Sequence, residues 1–291
     1  QDQVEYGSNR AQPKQIVKDF APLFFAKIYS ASPDKWLEIF STLVMSINEH
    51  NVLMNFNDLS LQSFVTDKGF GGQVHQGDKD YLMATITNVK GSKTDAVTDT
   101  SLSIDTAFEQ DSAIHTVTIS RQHNGGTMKY GFYNKQNPAY VRVLVPEGSE
   151  FISITGNDKP NFSPLVNCSS GFTRDETLTK FESTATTDNS NRVTTYQEAG
   201  KKEFGFWLIT DAGKSKAVTL KYRVPKALTD KVYELYIQKQ PSLKIKNFNL
   251  SMQKIEGLAP EASYPLLTPK DDAYLYSGRL DNDLIVKVNF K

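Results

Sequence analysis

Apolar residues recur every three or four positions over the first third of the chain and every second position over most of the rest. Ile16, Val17, Phe20, Leu23, Phe24 and Ile28 fall at helical spacing. Pro13 precedes them and can hold a first helical position, where its missing N–H costs nothing. Pro22 lies inside the pattern and predicts a kink or a split near Phe20. A second helix is predicted from Ser32 as N-cap, with Pro33 at its first position and Asp34 favourably placed against the helix dipole. Its stripe is Trp36, Leu37, Phe40, Leu43, Val44 and Ile47. A third starts at the Asp58 cap, offers Leu59, Leu61, Phe64 and Val65 for burial, and stops at Gly69. Residues 52–56 predict a short strand between the last two helices.

Gly69, Gly71 and Gly72 mark the change of period. Beyond them, alternation predicts strands over residues 81–87, 98–108, 114–119, 140–145, 204–209 and 217–222, and later over 232–237, 243–250 and 284–290. Polar, Gly- or Pro-bearing turns separate many of them, as at residues 122–126, 146–148 and 211–213. Residues 157–200 are rich in Asn, Thr and Ser and predict a long excursion with one or two weak strands. The pattern predicts an α+β chain: a helical segment over residues 1–75, an antiparallel immunoglobulin-like β-sandwich over 78–252, and a tail over 253–291 whose terminal strand packs on the sandwich.

Charge narrows the partners. Lys plus Arg and Asp plus Glu are each 33 in 291 residues, so the formal net charge is zero. Nucleic acid is not an expected partner, because phosphate neutralisation needs a basic excess. No stretch approaches the roughly 18 apolar residues that would cross a bilayer. Membrane association is expected only through an anchor outside this chain. Residues 1–10 are polar and do not read as a signal peptide. Cys168, the single cysteine, cannot form an internal disulfide and fits no zinc-site spacing.

Candidate chemistry is sparse. Arg10, Lys14 and Lys18 are four residues apart and would share one face of a helix reaching back that far. His50, His75, His115 and His123 show no i, i+4 metal pair, and His115 reads as half-buried or solvent-facing. Gly69-Phe70-Gly71-Gly72 lacks the Gly-Lys-Ser/Thr ending of a phosphate loop and reads as a junction. Gly125-Gly126 reads as a hairpin turn. Asp281-Asn282-Asp283 and Asp188-Asn189-Ser190-Asn191 lack the register of a calcium loop and read as turns. Ser169-Ser170-Gly171 is not a nucleophile elbow. No metal, cofactor or catalytic residue is expected, and no complete active site. Aromatic residues in the β region, among them Tyr140, Trp207 and Tyr236, are expected mainly in the core, with an exposed glycan-binding row as the other reading.

Ordered strings resemble the bacterial domain-of-unknown-function 4012 family. They are the Asn88-Val89-Lys90-Gly91-Ser92-Lys93-Thr94-Asp95 hairpin, YVRVLVPEGSEF over 140–151, KKEFGFWLIT over 201–210, VTLKYRVP over 218–225 and YELYIQKQP over 233–241. The resemblance spans about residues 75–252. It implies a large bacterial envelope protein of no established activity, extracellular or in the cell envelope. It also implies a further N-terminal part of the same protein as a partner, with cell-wall glycan or another envelope protein as additional candidates. The segment NRAQPKQIVKDFAPLFFAKIYSASPDKWLEIFSTL, from Asn9, more weakly resembles the end of the LytR-CpsA-Psr phosphotransferase domain. In that family, polyprenyl-pyrophosphate-linked glycopolymers are transferred to peptidoglycan. That resemblance implies a pyrophosphate role for Arg10, with Lys14 and Lys18 beside it, and an accessory portion of such an enzyme. Only Arg10 matches clearly, with Gln15 a few residues on.

Overall fold

The computed structural model describes residues 15–160 and 171–291. Helix α1 spans Gln15–Tyr29, α2 Pro33–Asn48, α3 Leu59–Asp67 and α4 Glu176–Glu182. Pro22 sits inside α1 without splitting it. Ser32 takes the extended backbone of an N-cap before α2, yet its side chain makes no capping bond. Asp58 does cap α3, accepting from the amides of Ser60 and Leu61 at 3.0 and 2.9 Å. The strand expected over residues 52–56 is not formed. Met54 N–H donates to Phe70 O, but no second segment lies alongside to build a ladder.

Among the described residues sixteen strands, numbered along the chain, form two sheets. The first runs β13 (Pro260–Tyr264), β16 (Leu284–Phe290), β11 (Val232–Gln238), β1 (Asp80–Asn88), β4 (Asn137–Pro146), β8 (Lys201–Thr210), β7 (Val193–Glu198) and β6 (Thr186–Asp188), with β10 (Leu228–Thr229) beside β11. The second runs β14 (Thr268–Lys270), β15 (Ala273–Leu280), β12 (Ile245–Gln253), β2 (Thr98–Glu109), β3 (Ser112–His123), β9 (Ser215–Val224) and β5 (Glu150–Thr155). Alternate residues of both sheets meet in one continuous core. Val141, Val143, Phe204 and Phe206 come from the first sheet; Leu102, Val117, Leu220 and Phe248 come from the second. The α+β class holds, with strand far outweighing helix.

The wholly antiparallel expectation fails at two pairs. β1 runs parallel to β11, and β2 runs parallel to β12. The cause is a repeated route. β1 leaves the first sheet and continues as β2 in the second, and β11 and β12 do the same alongside. The two parallel pairs form a seam through both sheets. Residues 253–291 supply β13 to β16, two strands to each sheet, and Leu267, Leu280, Val286 and Val288 carry the core past the seam.

The helices contrast with this. No side chain of α1 or α2 is buried, and Val65 alone is buried in α3. Leu23, Leu37 and Phe40 are 71, 74 and 66% exposed. No helix among the described residues is long and apolar enough to cross a membrane.

Candidate functional site

Strand β1 is buried over its first seven residues, on both faces. Leu82, Ala84 and Ile86 enter the core, while Tyr81 and Met83 point outward and join Leu144 in a second apolar cluster. The strand therefore reads as a continuous apolar run from Tyr81 to Ala84, as a strand covered on both sides should, with the buried Asp80 and Thr85 flanking it. Its outer cover includes the segment joining α3 to β1, whose Val74 packs on that cluster. Gln238 holds the segment down. Its Oε1 accepts from the His75 amide at 2.9 Å and the Tyr81 hydroxyl at 2.6 Å, and its Nε2 donates to Gln73 O at 2.8 Å. Three of the four hydrogen-bonding capacities of this buried amide serve the joint, which satisfies groups that burial would otherwise leave costly.

Beside Gln238 lies a cleft of about 670 Å³ between the joining segment and the outer face of the first sheet. His75 stacks on Tyr236 with ring centroids 3.9 Å apart and planes 2° from parallel. Tyr236 in turn stacks with Tyr81 at 6.3 Å, and the Lys201 ammonium lies 4.5 Å from the Tyr81 ring centroid. Burial, then the Lys201 charge, pushes the His75 imidazolium down in pKa. Burial likewise lowers Lys201 and raises both tyrosine hydroxyls, with Asp283 adding to the rise. Those hydroxyls are donors held in the protonated form, not bases.

Asp283 completes the joint. It accepts from the Tyr236 hydroxyl at 2.7 Å and from the Lys239 amide at 2.8 Å. The Lys239 ammonium, nearly buried, donates to Glu49 O at the end of α2 at 2.8 Å. Burial lowers its pKa. His50 is buried against this corner, its Nδ1 3.7 Å from Asp283 Oδ1. Gln238, Lys239 and Asp283 thus clamp the helical segment to the sandwich through polar contacts, in place of an apolar core.

Behind the clamp, between the sheets, Asp80 Oδ2 meets His115 Nε2 at 2.7 Å and accepts from the Tyr233 hydroxyl at 2.9 Å. His115 Nδ1 is 3.0 Å from the Thr106 hydroxyl. All four residues are buried. Burial, then the Asp80 charge, pushes the Tyr233 hydroxyl well above its ordinary pKa. The network is a satisfied buried pair that fixes β1, β2, β3 and β11 to one another, closed to solvent and so to substrate. The half-exposed expectation for His115 is corrected here. It shares its inward face of β3 with Ala113, Val117 and Ile119 and is fully enclosed.

The sequence-predicted candidates fall elsewhere. Arg10, Lys14 and Cys168 lie outside the described residues; Lys18 is exposed on α1. Gly69 to Gly72 form the junction. Asp188, the last residue of β6, accepts from the side chains of Asn191 and Ser190 in the following turn, bonds that hold its carboxyl below the usual range. Among the described residues no cluster of three His, Cys, Asp or Glu side chains could hold a metal. Phe204, Phe206, Tyr222 and Tyr233 are core, whereas Tyr140, Trp207 and Tyr236 lie on the outer face. Sequence reasoning missed Gln238, Lys239 and Asp283 as a joint. The signal available was a Gln-Lys-Gln-Pro run that begins on the last residue of β11, polar where alternation demanded apolar.

No protein-family model matches the chain, and no curated protein is similar to it. Among solved structures it is similar to a candidate nutrient binding protein from Legionella pneumophila, at 8% identity and TM-score 0.35, over 72% of this chain and 71% of that one. It is similar to leukotriene A4 hydrolase from Saccharomyces cerevisiae, at 8% identity and TM-score 0.35, over 70% of this chain and 31% of the hydrolase. It is also similar to an M1 zinc metallopeptidase from Deinococcus radiodurans, at 11% identity and TM-score 0.32, over 66% of this chain and 42% of the peptidase. The chain thus spans under half the length of either enzyme.

Proposed function

We propose that this chain is a non-catalytic module of a larger bacterial cell-envelope protein of the domain-of-unknown-function 4012 type, exposed outside the cell and binding glycan or protein. In this reading the helical segment docks on a further part of the same protein. The observation that carries it is the state of the helices. Leu23, Leu37 and Phe40 lie open to solvent on α1 and α2, while Lys239 ties the end of α2 and Gln238 ties the joining segment to the sandwich. Exposed apolar area on that scale marks an interaction surface. The finer fold reading is an immunoglobulin-like sandwich over residues 78–252, whose antiparallel part is β1–β9 and whose β11 and β12 pair in parallel with β1 and β2. It is supported by the antiparallel pairing throughout β1–β9, with β3 and β9 adjacent in one sheet and β4 and β8 adjacent in the other.

The phosphotransferase alternative draws no support from the described residues, where Lys18 stands on an exposed helix face. The test is photo-crosslinking from positions 23, 37 and 40 of the protein in its own cells, combined with fractionation. Crosslinks to other segments of the same polypeptide, recovered with the envelope, are the expected result. Recovery in the cytosol, or crosslinks confined to unrelated proteins, overturns the reading.

A further inference from the structure

The seam has a second consequence at its far end. β1 and β11 leave the first sheet side by side, and their crossovers to β2 and β12 run next to each other. Between them opens a cleft of about 650 Å³, within the range of small-ligand sites. One wall is Asp95, Ala96 and Asp99; the other runs from Gln240 to Lys244. Arg121, projecting from the inward face of β3, also lines it.

Arg121 is 2% exposed. Its Nη2 donates to Asp95 Oδ1 at 2.6 Å, the same oxygen that accepts from Asn137 Nδ2 at 2.9 Å. Arg121 Nε is buried with no partner. A guanidinium presents a fork of donors; with Nε enclosed and unpaired, Arg121 has a donor to give a planar carboxylate once its side chain turns toward the cleft it lines. Arg121, Lys244 and Lys246 against Asp95 and Asp99 leave one formal positive charge in excess on the lining. That balance matches a singly charged anion. The two carboxylates, about half exposed, would repel a multiply charged phosphate but can accept hydrogen bonds from hydroxyls. No aromatic side chain lines the cleft, so a base has nothing to stack on.

We propose that this cleft binds a carboxylated saccharide, its carboxylate toward Arg121 and Lys244 and its hydroxyls toward Asp95 and Asp99. The proposal rests on the glycan-binding half of the reading above. It fails separately from the docking half, which crosslinking in cells decides.

The experiment titrates the full chain with galacturonate, which carries a single carboxylate, with neutral galactose and with inorganic phosphate, by calorimetry or by amide shifts. Galacturonate is expected to bind, and galactose and phosphate are not. Lys244→Glu, an exposed change that leaves the fold intact, should weaken binding about tenfold or more by reversing a rim charge. Arg121→Gln should abolish it, with the thermal transition recorded alongside; if that variant unfolds, Lys244→Glu decides. No binding of galacturonate, equal binding of galactose, equal binding of phosphate, or indifference to Lys244→Glu each overturns the proposal.

Discussion

The sheets and the helices of this chain use similar residues to opposite ends. In the sheets, Phe248, Leu102 and Val286 are sealed between two layers and joined across a parallel seam. In α1 and α2, Phe20, Leu37 and Phe40 face water, and the segment is fastened at one corner by Lys239 on Glu49 O and Gln238 on Gln73 O. Stability therefore resides in the sandwich, and the helical segment is carried by it. Apolar content alone does not make a core; a second layer does.

The largest effect should come from the sandwich. Phe248→Ala opens a cavity in a fully buried position and should cost roughly 3–5 kcal/mol of unfolding free energy, read by denaturant titration. A matching loss from Phe40→Ala would erase the contrast between the two regions.

Next comes Glu203, on the outer face of the first sheet. Its side chain is fully enclosed and 3.3 Å from Arg142. Burial pushes its carboxyl up to about 7 from an ordinary 4.5, Arg142 pulling the other way. The folded state thus holds a proton that the unfolded chain releases between those values. The stabilising contribution is complete below about pH 4.5 and falls away as pH rises through about 7. Glu203→Gln should raise stability at pH 8 by roughly 1–3 kcal/mol and leave it unchanged at pH 4, with thermal melts at both pH values as the readout. An equal shift at the two pH values would mean that packing, not ionisation, governs the site.

Lys239→Met should sharpen the contrast without touching the core. Losing the bond to Glu49 O removes roughly 1 kcal/mol of local attachment. Amide exchange should quicken across α1–α3 while the strands keep their protection. Smallest of all, Leu37→Asp should change global stability by less than about 0.5 kcal/mol, because that side chain has nothing to lose in the free chain.

Much of this was legible residue by residue. Alternation located β2, β3, β4, β8 and β9, and the Asp58 cap was readable from its type and place. The parity of β3 carried more than was taken from it. His115, Arg121 and His123 share the odd positions of Val117 and Ile119, so three polar side chains were bound for the interior and needed partners there. Those partners, Asp80, Asp95 and the Lys135 carbonyl, lie 35, 26 and 12 residues away, a distance no local pattern reports. The parallel seam was unreadable for the same reason, since a strand's sequence does not state its neighbour's direction. The cap at Ser32 misled because residue type was taken for a bond that its side chain does not make.

Gln240 bears on how the two halves of the molecule can coexist. Its side-chain amide accepts from Ile86 N at 2.7 Å and donates to Ile86 O at 3.3 Å, standing in for a peptide unit after the main chain has turned away. With that surrogate rung in place, the neighbouring strands can diverge without stranding a backbone group. A shallow mouth can then exist where a regular ladder would have zipped shut.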